Sequence, residues 1–381
     1  MSVRITNLRL AILICALGAL SESLFYTALA PMLTHLDSQL GFQEEQAGLL
    51  VAGYAIGYWF GAYPAYRLAA RFGPRATAAA GVGSVAIATL GFAAADTFPV
   101  LMAARILVGA GSVIAYTGLL AAARSMVGIE HRGMAIGTVY SGSAAGSAVG
   151  PLVGSLAVEF GRGPVFTAVA AGQAVVAAFV SRLPTVPNAD NVSMRVMWHY
   201  LSSQRVRTGL WITSVPAFAL GVLTLSGTYR LTELGASSTI IAIAFSGIAV
   251  INVFVAPRLG KASDRLGRRK PLMLALSVAT IALLLIAAAS FETSTVMLIA
   301  IAGAFMLAIA GPGLALVGDG IHELGGDSAH GTFLMNMFWG PAATLGAISA
   351  GLVHGSTGAE VSLLMLAVVA ASSLVLVRRL A

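Results

Sequence analysis

Residues 260–270 read GKASDRLGRRK and residues 66–75 read YRLAARFGPR. Set one on the other at Gly267 and Gly73, 194 positions apart, they agree at an arginine two residues before the glycine (Arg265, Arg71) and another two residues after it (Arg269, Arg75). Asp264, Gly260 and Arg268 complete the second copy, whereas the first has Ala70 where the acid stands. A further pair, Arg132-Gly133 and His330-Gly331, recurs at an offset of 198 residues, so the chain consists of two parallel repeats.

Working outward from these basic loops, the flanking stretches are apolar and long enough to cross about 30 Å of hydrocarbon at about 1.5 Å per residue. In the first half they run Leu8 to Met32, Ala47 to Tyr66, Ala76 to Ala94, Pro99 to Ala121, Gly133 to Ala157 and Pro164 to Val180. The second half gives Gly209 to Tyr229, Thr239 to Val255, Pro271 to Ala289, Ser294 to Val317, Gly331 to Val353 and Val361 to Val377. The expectation is an all-α integral membrane protein of twelve transmembrane helices in two six-helix repeats, residues 1–180 and 209–381. They are joined by a polar linker, 181–208, that carries Pro184, Pro187, Arg195, Arg205 and Arg207. The first apolar run continues past Glu22 to Pro31 without a small-residue cleavage pattern, so it reads as a span and not as a removable leader.

Composition points the same way. Of 381 residues, 58% are apolar and 10% charged, against roughly 25% charged in soluble domains. Soluble, secreted and fibrous classes are thereby excluded. The single cysteine, Cys15, permits neither an intrachain disulfide nor a cysteine metal site. With the N-terminus inside, 19 of the 22 basic residues fall on the cytoplasmic side, Arg162 and Arg230 fall outside, and Arg105 lies within the fourth span. That asymmetry places both termini in the cytoplasm of an inner (plasma) membrane, and the net charge of +7 faces anionic lipid headgroups instead of nucleic acid. His322-Glu323 begins like an H-E-x-x-H zinc site, but Gly326 occupies the position of the second histidine, so no metal or zinc-protease centre is expected.

At this point the chain resembles the major facilitator superfamily, whose signature loops lie between helices 2 and 3 and between helices 8 and 9. The resemblance covers essentially the whole chain. In the fifth span, Gly137, Gly146, Gly150-Pro151 and Gly154 stand at G-x8-G-x3-G-P-x-x-G, similar to the antiporter motif of the family's twelve-helix drug:proton branch, with Ser155 replacing a final glycine. Arg105-x3-Gly109-x-Gly111 in the fourth span resembles the intramembrane arginine motif of the same exporters. The resemblance implies a proton-coupled antiporter that exports a small amphipathic or cationic solute by alternating access. It would work without a cofactor, on the proton gradient, as a monomer in the bilayer. Other modes on the same fold remain open: export of a sugar or amino acid, or proton-coupled uptake. An intramembrane enzyme would need a nucleophile and base, or a metal constellation, that the spans lack. A non-transporting sensor would not need a titratable Glu22.

The residues carry chemistry of their own. Glu22 is the only acid within the hydrocarbon part of any span, so it must be paired, hydrated or protonated part of the time. It is either the proton-coupling group or one half of a static ion pair, for instance with Arg105. Arg105 keeps its proton and can tune a carboxylate, hold an anion or lock two helices. Gly142, Gly146, Gly150 and Gly154 recur every four residues and form one face without Cβ atoms, either ordinary small-residue packing or a sliding interface between the halves. Pro151 removes one helical hydrogen bond. Arg71, Gly73, Arg75, Gly260, Asp264, Arg265, Gly267, Arg268 and Arg269 form candidate gating loops, in which Asp264 can cap a helix or pair with Arg265 or Arg268. Tyr26, Tyr54, Tyr58, Trp211, Phe218, Asn252, Asn336 and Trp339 are candidate lining residues of a substrate cavity, although aromatic residues near span ends also serve as interfacial anchors.

Overall fold

Two glycines set the frame of the spans. Gly73 has φ 82° and ψ 163° and Gly267 has φ 79° and ψ 163°, a left-handed geometry that a side chain would strain. Each ends one membrane helix, and the next helix starts within two residues. The computed structural model describes residues 7–41, 43–128, 131–185, 194–326 and 330–378. The expected Arg4 and Arg379, and residues 186–193 of the expected linker, lie outside that set.

The helices are α1 (Leu8–Thr27), α2 (Leu33–Leu40), α3 (Glu44–Ala93), α4 (Phe98–Ser125), α5 (Arg132–Phe160), α6 (Arg162–Val180), α7 (Met194–Tyr200) and α8 (Gln204–Val222). They continue as α9 (Thr228–Glu233), α10 (Ser238–Leu266), α11 (Arg269–Ala288), α12 (Glu292–Ala308), α13 (Ala310–Glu323), α14 (His330–Thr357) and α15 (Ala359–Arg378). A 3-10 turn, Ala30–Met32, joins α1 to α2, and a π-helical turn, Leu223–Gly227, joins α8 to α9. Pairs α1/α2, α8/α9 and α12/α13 are thus single interrupted spans, and α3 is two spans meeting at Gly73, which gives twelve spans among the described residues.

The helices overrun the apolar windows at their basic ends. The eighth span continues as helix to Leu266, eleven residues past Val255, because a helix need not stop where hydrocarbon does. Within the polar stretch 181–208, α7 and the start of α8 are helical as well; Ser203 caps α8 by accepting from the backbone N–H of Val206. α5 and α14 are both long helices rich in glycine, and both are the fifth helix of their repeat.

The chain divides into two units, Met1–Met32 with Gly53–Asn191, and Leu33–Ala52 with Val192–Ala381. In the first, α1 packs along α5 and also meets α4 and α6. In the second, α8 packs along α14 and α13. The first helix of each repeat therefore takes the fifth and fourth of the same repeat as neighbours. The glycine stripe of α5 belongs to this internal packing: Cβ atoms at Gly142, Gly146, Gly150 and Gly154 would collide with backbone of Ala16, Leu20, Leu24 and Ala28 on α1 and its C-terminal end. The expectation that the stripe serves an interface between the halves is corrected here, since the close approach it allows is to α1 in its own unit. Gly137 is different, with no atom near the place of an added Cβ. α5 continues through Pro151.

Candidate functional site

α1 opens on Asn7, whose side-chain oxygen accepts from the backbone N–H groups of Arg9 and Leu10, and the helix then carries Glu22 to the interior of the first unit. Its side chain is 5% exposed. Tyr54 on α3 donates its hydroxyl to Glu22 Oε1 at 2.6 Å, and Ser23 donates to Oε2 at 2.8 Å. Ser23 Oγ also lies 2.6 Å from Ser143 Oγ on α5. Ser23 has one proton to give, and with Glu22 ionised that proton is engaged on the carboxylate, so Ser143 is the donor of the second bond. Both carboxylate oxygens are thus held, by groups from two helices.

Arg105 comes from α4, which starts behind Thr97 with Pro99 in its first turn. It is 2% exposed, and its guanidinium stands 5.6 Å from the centroid of the Tyr54 ring and 5.7 Å from that of Phe25. Tyr54 therefore carries both charges of the site: its hydroxyl meets the carboxylate and its ring face meets the cation. Tyr26 and Tyr54 have ring centroids 4.3 Å apart, and Tyr54 and Tyr58 6.1 Å apart. Behind them Phe25, Phe92 and Phe166 pack edge to face at 5.2 to 5.4 Å, fixing α1 against α3 and α6. The sequence-predicted Glu22, Arg105, Tyr26, Tyr54 and Tyr58 are thus brought together.

Two of the second-unit candidates are bonded across helices. Trp211 is partly exposed and donates its ring N–H to Ser373 on α15 at 3.0 Å, which binds it to a neighbouring helix. Asn252 donates to the carbonyl of Ala304 at 2.9 Å, joining α10 to α12. Their polar groups thus join neighbouring helices of the second unit. Phe218 contributes backbone to a tight contact with Gly346 on α14 and its ring is half-buried. Asn336 and Trp339 are half-buried on α14.

In the basic loops, Arg268 donates to Asp264 at 2.6 Å, to Ser263 at 3.2 Å and to Asp319 on α13 at 3.5 Å. Of the two partners left open for Asp264, Arg268 is the one bonded. Arg265 and Arg269 are exposed, and a Cβ at Gly260 would meet nothing. In the first copy Arg75 donates to the carbonyl of Leu183 at 3.2 Å, and Arg71 lies 5.1 Å from the ring of its neighbour Phe72. The two loops share a backbone turn but not a bonding pattern, since Ala70 and Pro74 stand where Asp264 and Arg268 do.

Sequence reasoning missed Ser23, Ser143, Phe25 and Asp319. A serine in mid-span is unremarkable by itself, and Asp319 falls two residues beyond the apolar window of the tenth span. The adjacency of Ser23 to the lone acid was the available signal.

Among known proteins, residues 15–347 and 229–381 match the sequence profile described as Major Facilitator Superfamily. Over 165 residues the chain is 30% identical to the multidrug resistance protein MdtG of Proteus mirabilis (strain HI4320), covering 40% of this chain and 41% of that protein. The chain therefore matches less than half of that relative's length. A bacterial homolog to the human lysosomal transporter Spinster, solved inward-facing and unoccupied, superimposes with a TM-score of 0.78 at 15% identity, covering 98% of this chain and 97% of the other. A D-xylose-proton symporter gives 0.79 at 14% identity, covering 98% of each chain. At these identities the solved structures bear on the fold alone, and it is the profile match across nearly the whole length that decides the family: the chain belongs to the Major Facilitator Superfamily and is a multi-pass membrane transporter.

Proposed function

We propose that this transporter exports a small amphipathic or cationic solute in exchange for protons, with Glu22 carrying the proton. The reading is supported above all by one observation: a nearly fully buried carboxylate bonded by Tyr54 and Ser23 and ringed by aromatic faces. A carboxylate at membrane depth is costly when empty-handed, so a proton and a cationic solute are natural alternatives as its partner. Tyrosine faces add attraction for a soft cation. The partial match to a multidrug resistance protein supports export over uptake. The carrier acts as a monomer in the plasma membrane with both termini in the cytoplasm, needs no cofactor beyond the proton gradient, and uses its basic loops as gates.

The test is transport in proteoliposomes under an imposed pH gradient, with a panel of lipophilic cations, neutral amphiphiles, sugars and amino acids. Proton-driven movement of at least one cation or neutral amphiphile, abolished in Glu22→Gln, is expected. Gradient-driven movement of sugars or amino acids alone would overturn the substrate class, and undiminished coupling in Glu22→Gln would remove Glu22 from it.

A further inference from the structure

Ser23 stands between two oxygens. Its Oγ lies 2.8 Å from Glu22 Oε2 and 2.6 Å from Ser143 Oγ on α5, so its one proton can lie along either line without movement of a heavy atom. The glycines around Ser143 hold that geometry. Cβ atoms at Gly142 and Gly146 would overlap backbone of Ala16 and Leu20, so α1 and α5 are as close as backbones allow where the two serines meet. The other carboxylate oxygen is built differently. Oε1 has the Tyr54 hydroxyl at 2.6 Å, and that phenol O–H stays near the plane of a ring which itself packs on Tyr26, Tyr58 and Arg105. The titratable and charged groups around Glu22 are thus Tyr26 from its own helix, Tyr54 and Tyr58 from α3, and Arg105 and Tyr116 from α4, with Tyr140 of α5 against the Tyr116 ring. From α6, Gln173 donates to the Ser21 carbonyl at 2.9 Å.

We propose that Glu22 takes its proton on Oε2 and that Ser143 is the positioning residue for this step, donating to Ser23 while Glu22 is ionised and accepting from it while Glu22 is protonated. The inference rests on Glu22 being the proton-bearing group. On uptake a hydronium ion gives up a proton, the Oε2–H bond forms, and water is left. The new O–H donates to Ser23 Oγ, Ser23 turns its own O–H to Ser143, and Ser143 turns its O–H away from Ser23. No serine O–H bond breaks. The carboxylate becomes a neutral acid, and Oε1 stays a C=O under the Tyr54 hydroxyl. Release is the reverse. A proton on Oε1 would instead set two O–H groups against each other until the Tyr54 hydroxyl turned away. Without the Ser143 oxygen, the Ser23 proton displaced from Oε2 would lose the acceptor at 2.6 Å, and a buried donor left unsatisfied is costly. Taking up the proton therefore reverses the polarity of a bond between α1 and α5.

Infrared difference titration of the full-length carrier in lipid nanodiscs reads the proton directly, through the carboxylic acid C=O band that Glu22→Gln removes. A C=O that loses a hydrogen-bond donor rises in wavenumber, so Tyr54→Phe should raise the band and Ser23→Ala should raise it less. A larger rise in Ser23→Ala would put the proton on Oε1 and overturn the proposal. For Ser143, the isosteric pair Ser143→Thr and Ser143→Val separates hydroxyl from shape. Proton-driven transport in proteoliposomes should stay within about twofold of wild type in Ser143→Thr and fall roughly tenfold or more in Ser143→Val, with kcat changed more than the solute KM. Equal rates in the two variants, whether high or low, would mean that Ser143 serves packing against α1 alone, and would leave Glu22 as proton carrier. Absence of any Glu22-dependent carboxyl band across the titration would overturn both that reading and this one.

Discussion

Tyr54 is the residue through which the acid and the base of the interior are held together. Removing only its hydroxyl, in Tyr54→Phe, keeps the ring under Arg105 and deletes one bond to an ionised carboxylate, worth about 1.5–3 kcal/mol. The lost bond also helps hold the carboxylate in place, so Tyr54→Phe should change the pH profile or the rate of transport. Transport against pH in proteoliposomes checks it; an unmoved profile with normal rates would mean that Tyr54 only packs. Glu22 and Arg105 were legible in sequence because a charge inside an apolar window has few ordinary explanations. Tyr26 and Tyr54 were legible as aromatic candidates for a cavity lining. Ser23 and Ser143 were not, since a serine can satisfy itself on its own helix, as Ser21 does on Gly18 and Ser141 on Gly137. Only the fold distinguishes a serine that reaches across helices.

At the scale of the element, the antiporter-like motif of α5 separates into two parts. Gly146, Gly150 and Gly154 lie against α1 and its C-terminal end, where an added Cβ at Gly150 would overlap Thr27 and the Leu24 carbonyl, whereas Gly137 faces open space. Gly150→Ala should therefore lower the melting temperature of the purified carrier, by an overpacking cost of about 1–3 kcal/mol, while Gly137→Ala, which gains helix propensity, should leave it unchanged or slightly raised. Differential scanning fluorimetry on the pair decides: equal melting temperatures would mean that α1 and α5 do not depend on close approach. A stripe of period four states that a helix is approached closely, but not which helix approaches it. That is why the spacing was readable in sequence and its partner was not. The basic loops show the same division. Gly73 and Gly267 could be equated from sequence and adopt the same dihedrals, yet Arg268 reaches Asp319, an acid on a helix whose packing no local pattern reveals. Asp264 and Asp319 are well exposed, and such pairs contribute about 0–1 kcal/mol. Asp264→Asn and Asp319→Asn should then barely change melting temperature. If the loop is a gate they should change turnover severalfold in initial-rate assays, more than they change solute affinity. Ala70→Asp should not rescue them, because Pro74 stands where Arg268 does. Wild-type turnover in both variants would leave the loop with topology alone.

For the whole molecule, the two arginines expected outside test the orientation more severely than the nineteen expected inside. Arg162 donates to the carbonyl of Ala95 and lies 3.7 Å from Asp96; Arg230 donates to the carbonyl of Ala289 at 2.8 Å and pairs with Glu233 at 3.1 Å and Glu360 at 2.9 Å. Ala95 and Ala289 stand 194 positions apart, the offset that relates Gly73 to Gly267, and each follows the last turn of the third helix of its repeat. One arginine comes from the start of a sixth span and the other from the end of a seventh, yet both meet the negative end of the same repeated helix. Each exception to the basic asymmetry thus has a local electrostatic reason, and neither argues against cytoplasmic termini. The consequence can be measured with single cysteines, because the native Cys15 is buried and should be silent to a membrane-impermeant maleimide. Lys261, exposed in the loop after the eighth span, reports on the side expected to be cytoplasmic. Glu233→Cys and Ser356→Cys should react in intact cells, and Lys261→Cys only after permeabilisation. Labelling of Lys261→Cys from outside, with protection of Ser356→Cys, would invert the protein in the membrane.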